Sequence, residues 1–219
     1  MKIVREGWIW ILGAAVSLGV PAALLFVMGW RIPGLVLGLC AGVFTGFMVF
    51  FFRDPERIPE AGSDVILSGA DGWVRSVEAL PAHPALGGDA VRISVFLTPF
   101  DVHVNRCPMG GVVEHAEYRP GRKLLTLDPR ASEVNEHSLI RISDGTRHCA
   151  VRQIVGPVVR RVVYWLKVGE SVAAGQRLGL MKFGSRLDVY LPAAKVDVIV
   201  RRNDPVRAGR SVIARWRKE

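Results

Sequence analysis

The pair Gly184-Ser185 is the part of the sequence with the clearest capacity for chemistry. A glycine before the serine leaves its own carbonyl open to approach and lets the backbone adopt a strained geometry. The serine hydroxyl can then attack the carbonyl of the residue before it, provided that a base removes its proton. An isolated Gly-Ser pair is usually an ordinary turn, so the pair predicts self-cleavage only when other residues support it.

His103 is the candidate base. A histidine has an ordinary pKa of about 6.5, which suits proton transfer at neutral pH. Considered alone, His103 is more simply explained as a structural or surface histidine. Its assignment therefore also depends on the surrounding sequence.

Four segments provide that context. They are Phe51–Pro59 (FFRDPERIP), Ala70-Asp71-Gly72, Phe96–Pro108 (FLTPFDVHVNRCP) and Lys182–Tyr190 (KFGSRLDVY). In this order and at these separations they resemble the phosphatidylserine decarboxylase proenzymes, in particular the short, membrane-anchored form. The likeness extends from the apolar N-terminal segment nearly to the C-terminus. The FFRDPER and FGS elements together are far more specific than either is alone.

The resemblance implies that the chain cuts itself between Gly184 and Ser185. Ser185 Oγ would attack the Gly184 carbonyl, and the resulting ester would undergo β-elimination to dehydroalanine, which hydrolyses to a pyruvoyl group with loss of ammonia. Residues 1–184 would become the β chain and residues 185–219 the α chain. The pyruvoyl carbonyl would form a Schiff base with the substrate amine and accept the electrons released by decarboxylation, giving phosphatidylethanolamine. The sequence has no recognisable pyridoxal phosphate or metal site.

The resemblance also implies roles for two further positions. Asp71 would orient the imidazole of His103, completing a Ser-His-Asp arrangement with Ser185. Longer members of the family carry a second histidine three residues after the first, where this chain has Arg106. Whether His103 serves self-cleavage, decarboxylation or both is left open by this difference.

The elements that must position these residues are predicted to be strands. Short alternating or β-branched runs follow Arg53, separated by Gly, Pro and Asp, and they predict a mainly β fold of the barrel-sandwich kind. The runs are Val65–Leu67, Trp73–Val77, Val91–Phe96, Gly111–Tyr118, Lys123–Leu127, Ser138–Ile142, Cys149–Ile154, Val158–Val163, Leu187–Leu191 and Val196–Val200. Short helices are predicted around Ala131–Glu136 and Arg160–Leu166.

An internal repeat supports a barrel-sandwich fold and leaves two other functions open. Val168–Leu178 is similar to Asn203–Val212, and in each a Gly predicts a tight turn between short strands. Such turns resemble those of biotinyl and lipoyl carrier domains, whose Met-Lys pair has a counterpart in Met181-Lys182. One alternative is therefore a carrier modified at Lys182. The other is a non-enzymatic membrane-fusion-type adaptor.

Residues 1–52 are predicted to form a membrane hairpin. Gly7–Trp30 and Ile32–Phe52 are uncharged, and each is long enough to cross a hydrocarbon core of about 30 Å as a helix. Arg31 and Pro33 are predicted to form the turn between them. Positive flanks at both outer ends put the termini, and the catalytic domain, on the cytoplasmic side of the cell membrane. A cleaved signal peptide fits less well, because two spans follow one another without a cleavage site.

Composition excludes several classes. Half of the 219 residues are hydrophobic, which excludes disorder, while 23 Gly and 13 Pro exclude a coiled coil. Residues 53–219 are long enough for one compact domain. The three cysteines include no CxxC pair, which fits a reducing compartment.

The net charge of +9 predicts an anionic partner. Residues 53–219 hold 26 basic and 19 acidic residues, a net charge of +7. No nucleic-acid recognition element is evident, whereas attraction to anionic lipid contributes about 1 kcal/mol per basic residue near the surface. The predicted partners are therefore an anionic phospholipid substrate and the membrane surface, without nucleic acid. The oligomeric state, including a homo-oligomer, is left open.

Overall fold

A computed structural model describes residues 2–60, 62–126, 128, 130–157, 162–182 and 185–218. Its contacts divide the chain into two compact units, Met1–Glu56 and Arg57–Glu219. The predicted cleavage residue Gly184 lies outside the described residues, as do Arg160 and Arg161 of the predicted second short helix.

The first unit is a hairpin of two apolar helices, α1 (Trp8–Val27) and α2 (Arg31–Phe51). Both are long and apolar enough to cross a membrane. Their contact is built on small residues. A Cβ at Gly34 would come within 2.8 Å of the Phe26 backbone nitrogen, so the glycine lets the two helices approach closely.

The turn of the hairpin differs from the prediction. Arg31 is the first residue of α2, and the chain reverses over Met28, Gly29 and Trp30, where Gly29 has a φ of +91°. The prediction placed Arg31 and Pro33 in the turn. It was wrong because proline is well tolerated in the first turn of a helix, where its missing N–H costs no hydrogen bond.

The outer ends of the hairpin are joined by a two-stranded sheet. Strand β1 (Lys2–Ile3) pairs antiparallel with β2 (Arg53–Asp54), and Lys2 Nζ lies 2.7 Å from Glu56 Oε1. A Cβ at Gly7 would overlap the Phe52 side chain, so a glycine is needed where α1 begins beside the end of α2. The two ends therefore lie together at one end of the hairpin.

The second unit is mainly β, as predicted. Its strands are β3 (Val65–Leu67), β4 (Gly72–His83), β5 (Gly88–Leu97), β6 (Val104–Arg106), β7 (Gly111–Arg119), β8 (His137–Ser143), β9 (His148–Ile154), β10 (Val163–Tyr164), β11 (Ser171–Val172), β12 (Arg177–Leu180), β13 (Ser185–Pro192), β14 (Val196–Val198), β15 (Pro205–Val206) and β16 (Val212–Trp216). The prediction of a barrel-sandwich-like β domain behind a helical hairpin is confirmed.

One eight-stranded antiparallel sheet supplies most of the core. Its order is β11-β7-β8-β9-β13-β5-β4-β15, which puts β13 in the middle, between β9 and β5. One face of this sheet, here called the inner face, carries apolar side chains such as Ile93, Val151 and Val189 in the main hydrophobic cluster. Two three-stranded sheets, β10-β12-β6 and β14-β16-β3, complete the domain.

The two turns of the internal repeat have the predicted conformation and pack against each other. Gly175 and Gly209 have φ values of +76° and +66°, in the left-handed region that favours glycine. A Cβ on Gly209 would lie 3.2 Å from Gly175 Cα. Both glycines are therefore needed for the conformation of the turns and for their contact.

Two predicted elements near the middle of the chain were wrong in their described parts. Residues 123–126 form no strand, and residues 162–166 contain β10 instead of helix. Leu127 and residues 158–161 lie outside the described residues. The predicted helix over Ala131–Glu136 is shorter, as α3 (Ala131–Val134). Short apolar runs such as these do not distinguish helix, strand and loop by periodicity.

Candidate active site

Ser185 is the first residue of β13, the central strand of the large sheet. Alternation along the strand puts its side chain on the inner face with Leu187 and Val189. The side chain is fully buried, and Ser185 Oγ has no hydrogen-bond partner among the described residues. Leaving a buried hydroxyl without a hydrogen bond costs about 1–3 kcal/mol of stability.

His103 lies in the loop that connects β5 to β6 and is fully buried. A turn fixes this loop, because Asp101 Oδ2 accepts hydrogen bonds from the backbone N–H and the hydroxyl of Thr98, both at 2.7 Å. The Asp101 carbonyl in turn lies 3.0 Å from His103 Nδ1. Since a carbonyl oxygen only accepts, Nδ1 is the donor, and in the neutral ring Nε2 carries the lone pair that can take a proton.

Strand pairing brings Ser185 and the His103 loop to the same end of the sheet. Ser185 pairs with Leu97, the last residue of β5, and the loop to His103 begins at the next residue. From the other side, the Met181 N–H donates to the His103 carbonyl at 3.1 Å. His103 therefore lies between the end of β5, which pairs with Ser185, and Met181, which precedes Ser185 in the sequence.

Asp71 is held by an arginine that the sequence reasoning did not assign. Arg57 Nη2 lies 2.6 Å from Asp71 Oδ2, and Arg57 Nη1 binds Asp71 Oδ1. The Ala208 N–H also donates to Asp71 Oδ1 at 2.8 Å, while the Ala208 carbonyl accepts from Arg57. The orientation of the His103 ring is fixed by the bond of Nδ1 to the Asp101 carbonyl. A role for Asp71 in orienting His103 stays a prediction.

Arg106, which stands where longer relatives have a histidine, is buried between the two glycine turns. Its Nη1 donates to the Gly175 carbonyl at 3.0 Å, and a Cβ on Gly209 would lie 2.7 Å from its Cδ. The guanidinium thus joins β6 to the turn at Gly175.

The opposite face of β13, here called the outer face, carries paired charges. Asp188 is fully buried and accepts hydrogen bonds from Ser132 Oγ, Arg186 Nη2 and Tyr190 OH. Its Oδ1 lies 3.1 Å from Arg186 Nε. The Tyr190 ring stacks on His83 with a centroid distance of 4.2 Å.

A cavity of about 380 Å³ opens on this outer face, lined in part by His83, Arg141 and Arg152. Burial lowers the pKa of His83 to about 4, helped by the charges of Arg152 and Arg92. This cavity is lined by neither Ser185 nor His103.

Sequence reasoning missed three residues around the site: Arg57, Asn105 and Gln153. Arg57 lies in the FFRDPER segment, which indicated the family but assigned no role to this arginine. Asn105 follows His103 by two residues, and Gln153 on β9 binds its side chain. Within the described ranges, no group of three His, Cys, Asp or Glu residues could hold a metal ion.

Comparison with known proteins indicates one family. The family model described as phosphatidylserine decarboxylase matches residues 44–214. A phosphatidylserine decarboxylase proenzyme of Symbiobacterium thermophilum is 42% identical over 214 residues, which cover 97% of this chain and 95% of that protein. A proenzyme of the same name from Salinibacter ruber is 44% identical over 198 residues, with 87% and 85% covered. A third, from Carboxydothermus hydrogenoformans, is 42% identical over 211 residues, with 96% and 95% covered.

Proposed function

Because the chain belongs to the phosphatidylserine decarboxylase family, we propose that it is a proenzyme that cuts itself before Ser185 and then decarboxylates phosphatidylserine to phosphatidylethanolamine. The observation that carries this proposal is the Ser185 hydroxyl, buried without a partner among the described residues at the start of the central strand. Its neighbour in the fold is the loop that holds His103.

Self-cleavage begins with proton transfer from Ser185 Oγ to His103 Nε2. The Oγ adds to the carbonyl carbon of Gly184, the C–N bond of the peptide breaks, and the released amine takes the proton. The hydrogen bond between His103 Nδ1 and the Asp101 carbonyl supports this role, because it keeps the lone pair on Nε2. Loss of the Ser185 Cα proton then breaks the Cβ–O bond, which releases the carboxylate of residue 184 and leaves dehydroalanine. Hydrolysis of its imine form gives a pyruvoyl group at residue 185 and releases ammonia.

The surroundings of Ser185 fit such a group. The position is fully buried, and the inner-face neighbours Leu97 and Leu187 exclude water from it. A pyruvoyl group there supplies an electron sink for the negative charge left at the substrate Cα when CO₂ departs. His103, on the adjoining loop, would supply a proton at that carbon.

The cut is expected to leave one folded unit of two chains. The new α chain, residues 185–219, begins with β13, which pairs along its length with β5 and again with β9. These hydrogen bonds and the apolar inner face hold it to the β chain, residues 1–184. The loss of one peptide bond removes none of them.

The hairpin fits an enzyme that works on a lipid surface. Its helices are apolar on their outer sides, and β1 and β2 bring its basic ends, with Lys2, Arg5 and Arg53, to one side. By the positive-inside rule, both ends and the catalytic domain face the cytoplasm. The remaining basic excess favours an anionic lipid surface.

The test compares two buried histidines with the same local hydrogen bond. His137 Nδ1 lies 2.6 Å from the Asn135 carbonyl, as His103 Nδ1 lies beside the Asp101 carbonyl. His137, however, is two strands from β13, in the cross-strand row of Arg186 on the outer face. In full-length protein assayed with vesicles containing phosphatidylserine, His103→Ala is expected to slow self-cleavage about 10²–10⁴-fold. His137→Ala is expected to cut normally and to form phosphatidylethanolamine. Normal cutting and turnover by His103→Ala would remove His103 from the mechanism.

A further inference from the structure

A second cavity, of about 550 Å³, lies at the end of β13 that is opposite to Ser185. Three segments form it: the turn from β8 to β9, the short 3₁₀ turn Ala193–Lys195 that follows β13, and the residues at the end of β16. Because β13 has eight residues, the cavity and Ser185 are separated by roughly 25 Å along the strand. The cavity is therefore separate from the candidate active site.

Four basic side chains line this cavity, here called the basic cavity: Arg147, Lys195, Arg217 and Lys218. None of the described residues that line it is acidic. The two arginines have carboxylate partners outside the lining, Asp144 for the first and Asp197 for the second. The two lysines form no ion pair with any described residue. The basic cavity thus presents two ammonium groups whose charge is not paired.

The basic groups are held against the walls of the cavity by backbone carbonyls. Lys195 Nζ donates to the Thr146 carbonyl at 3.3 Å, and Arg217 Nη1 donates to the Ala194 carbonyl at 2.9 Å. The Arg217 N–H also donates to the Lys195 carbonyl at 2.9 Å. These bonds order the side chains before any ligand arrives, so that binding costs less side-chain entropy.

The cavity beside His83 on the outer face has a different lining. It contains Glu114 and Glu117. Arg141 Nε lies 2.9 Å from Glu114 Oε2, and Arg119 Nε lies 2.8 Å from Glu117 Oε1. Carboxylates inside that cavity would repel an anion, whereas the described lining of the basic cavity has none.

We propose that the basic cavity binds a phosphate group. Guanidinium and ammonium groups are the usual partners of phosphate oxygens, because they combine positive charge with several N–H donors. The volume is in the range of about 300–1,000 Å³ typical of small-molecule sites, so the phosphate would carry a further group. Since Ser185 lies at the other end of β13, this ligand is not the lipid molecule that reacts there. Its source is a soluble phosphate compound or the headgroup of a second phospholipid.

Calorimetric titration of the full-length Ser185→Ala chain in neutral detergent tests the site with two probes. Inorganic pyrophosphate represents a soluble phosphate, and dihexanoyl phosphatidylglycerol represents a lipid headgroup. Lys195→Gln and Lys218→Gln each remove one positive charge and keep a donor. Each is expected to weaken binding about 5-fold, and the double variant about 25-fold.

The matched control is Lys167→Gln. Lys167 is also exposed and contributes the same charge, but it precedes β11 and does not line the basic cavity. This variant is expected to bind as its parent does. Unfolding midpoints without ligand are expected to be equal in all four variants, because the three lysines are exposed.

The two probes distinguish the source of the phosphate. Lysine-dependent binding of pyrophosphate alone assigns a soluble ligand, and of phosphatidylglycerol alone a lipid headgroup, while binding of both assigns the phosphate group itself. Absence of binding by both probes, or equal weakening by Lys167→Gln and Lys195→Gln, would overturn the site. Because every sample is uncut, the result does not depend on the proposed self-cleavage.

Discussion

The two faces of strand β13 differ in how they treat buried polar groups. On the inner face, Ser185 Oγ is buried in an apolar cluster without a partner among the described residues. On the outer face, Asp188 is equally buried but is bound by Ser132, Arg186 and Tyr190. The chain has the means to satisfy a polar group in this strand. Ser185 also differs from Asp188 in its position, because it begins β13 beside the end of β5, from which the loop to His103 starts.

The outer face also carries bonds that would hold β13 in the fold after the proposed cut at its start. Asp188 joins the strand to α3 through Ser132 Oγ, and Arg152 on β9 donates to the Ser132 carbonyl at 2.6 Å. The bond between Asp188 and Ser132 connects the proposed α chain to the proposed β chain through side chains, in addition to the backbone ladder. The bond from Arg152 fixes Ser132 within the proposed β chain. The outer-face bonds would therefore keep β13 in place while Ser185 reacts on the inner face.

The largest expected effect comes from two buried serines on opposite faces. Ser94 is also fully buried with an unpartnered Oγ among the described residues, but it pairs with Asp188 and lies on the outer face. Ser185→Ala is expected to abolish self-cleavage, because no other hydroxyl begins β13. Ser94→Ala is expected to cut as the wild type does. Denaturing gel electrophoresis of both variants measures this. Normal cutting by Ser94→Ala would show that burial of a hydroxyl alone does not mark the site, and loss of cutting would contradict the assignment of the reaction to the inner face.

An intermediate effect is expected from the Arg57–Asp71 pair, which tests what paired buried charges contribute. Their side chains are only 9% and 10% exposed. Arg57→Met leaves the Asp71 carboxylate buried without its cation and is expected to cost about 3–5 kcal/mol of unfolding free energy. The double variant Arg57→Met/Asp71→Leu is expected to recover most of this loss.

Urea unfolding in detergent measures these free energies, with every variant made in the Ser185→Ala chain so that all samples are uncut. Equal stability of Arg57→Met and its parent would contradict a stabilising role for the pair. In the Ser185-containing chain, Asp71→Asn tests the other prediction for this carboxylate. Slow cutting without a matching loss of stability would support a role for Asp71 in orienting His103.

The smallest expected effect concerns His83 on the outer face. Its folded-state pKa is lowered to about 4, so between about pH 6.5 and pH 4 the unfolded chain binds a proton that the folded chain does not. Stability should therefore fall as the pH drops through this window. His83→Phe keeps a ring to stack on Tyr190 and removes this contribution.

Thermal unfolding of uncut Ser185→Ala, with and without His83→Phe, measures the contribution. The difference in Tm between the two is expected to change little above pH 7 and to grow in favour of His83→Phe toward pH 4. A constant difference across the range would contradict the burial of a neutral histidine beside Tyr190.

Local features of the site could be predicted from the sequence, and long-range ones could not. Alternating runs give most strands, and the glycines at 175 and 209 give both turns, because these depend on residues close together in the chain. The pairing of Arg57 with Asp71 joins residues 14 apart, and that of Asn105 with Gln153 joins residues 48 apart. Only the tertiary fold brings such residues together.

The three-residue strand β6 shows the same limit. Val104–Arg106 is too short for any period to identify, yet its pairing with β12 sets the positions of His103 and Asn105. A resemblance of motifs could indicate His103, whose neighbours are distinctive in the sequence. It could not indicate the contact between Asn105 and Gln153, because the two residues lie on different strands that are far apart in the sequence.

The intact mass of the full-length protein purified from membranes tests self-cleavage before Ser185 most directly. Two fragments are expected, residues 1–184 and 185–219, the smaller one blocked at its N-terminus and modified by hydroxylamine or borohydride. A single chain carrying a prosthetic group on Lys182, or a single unmodified chain, would contradict it.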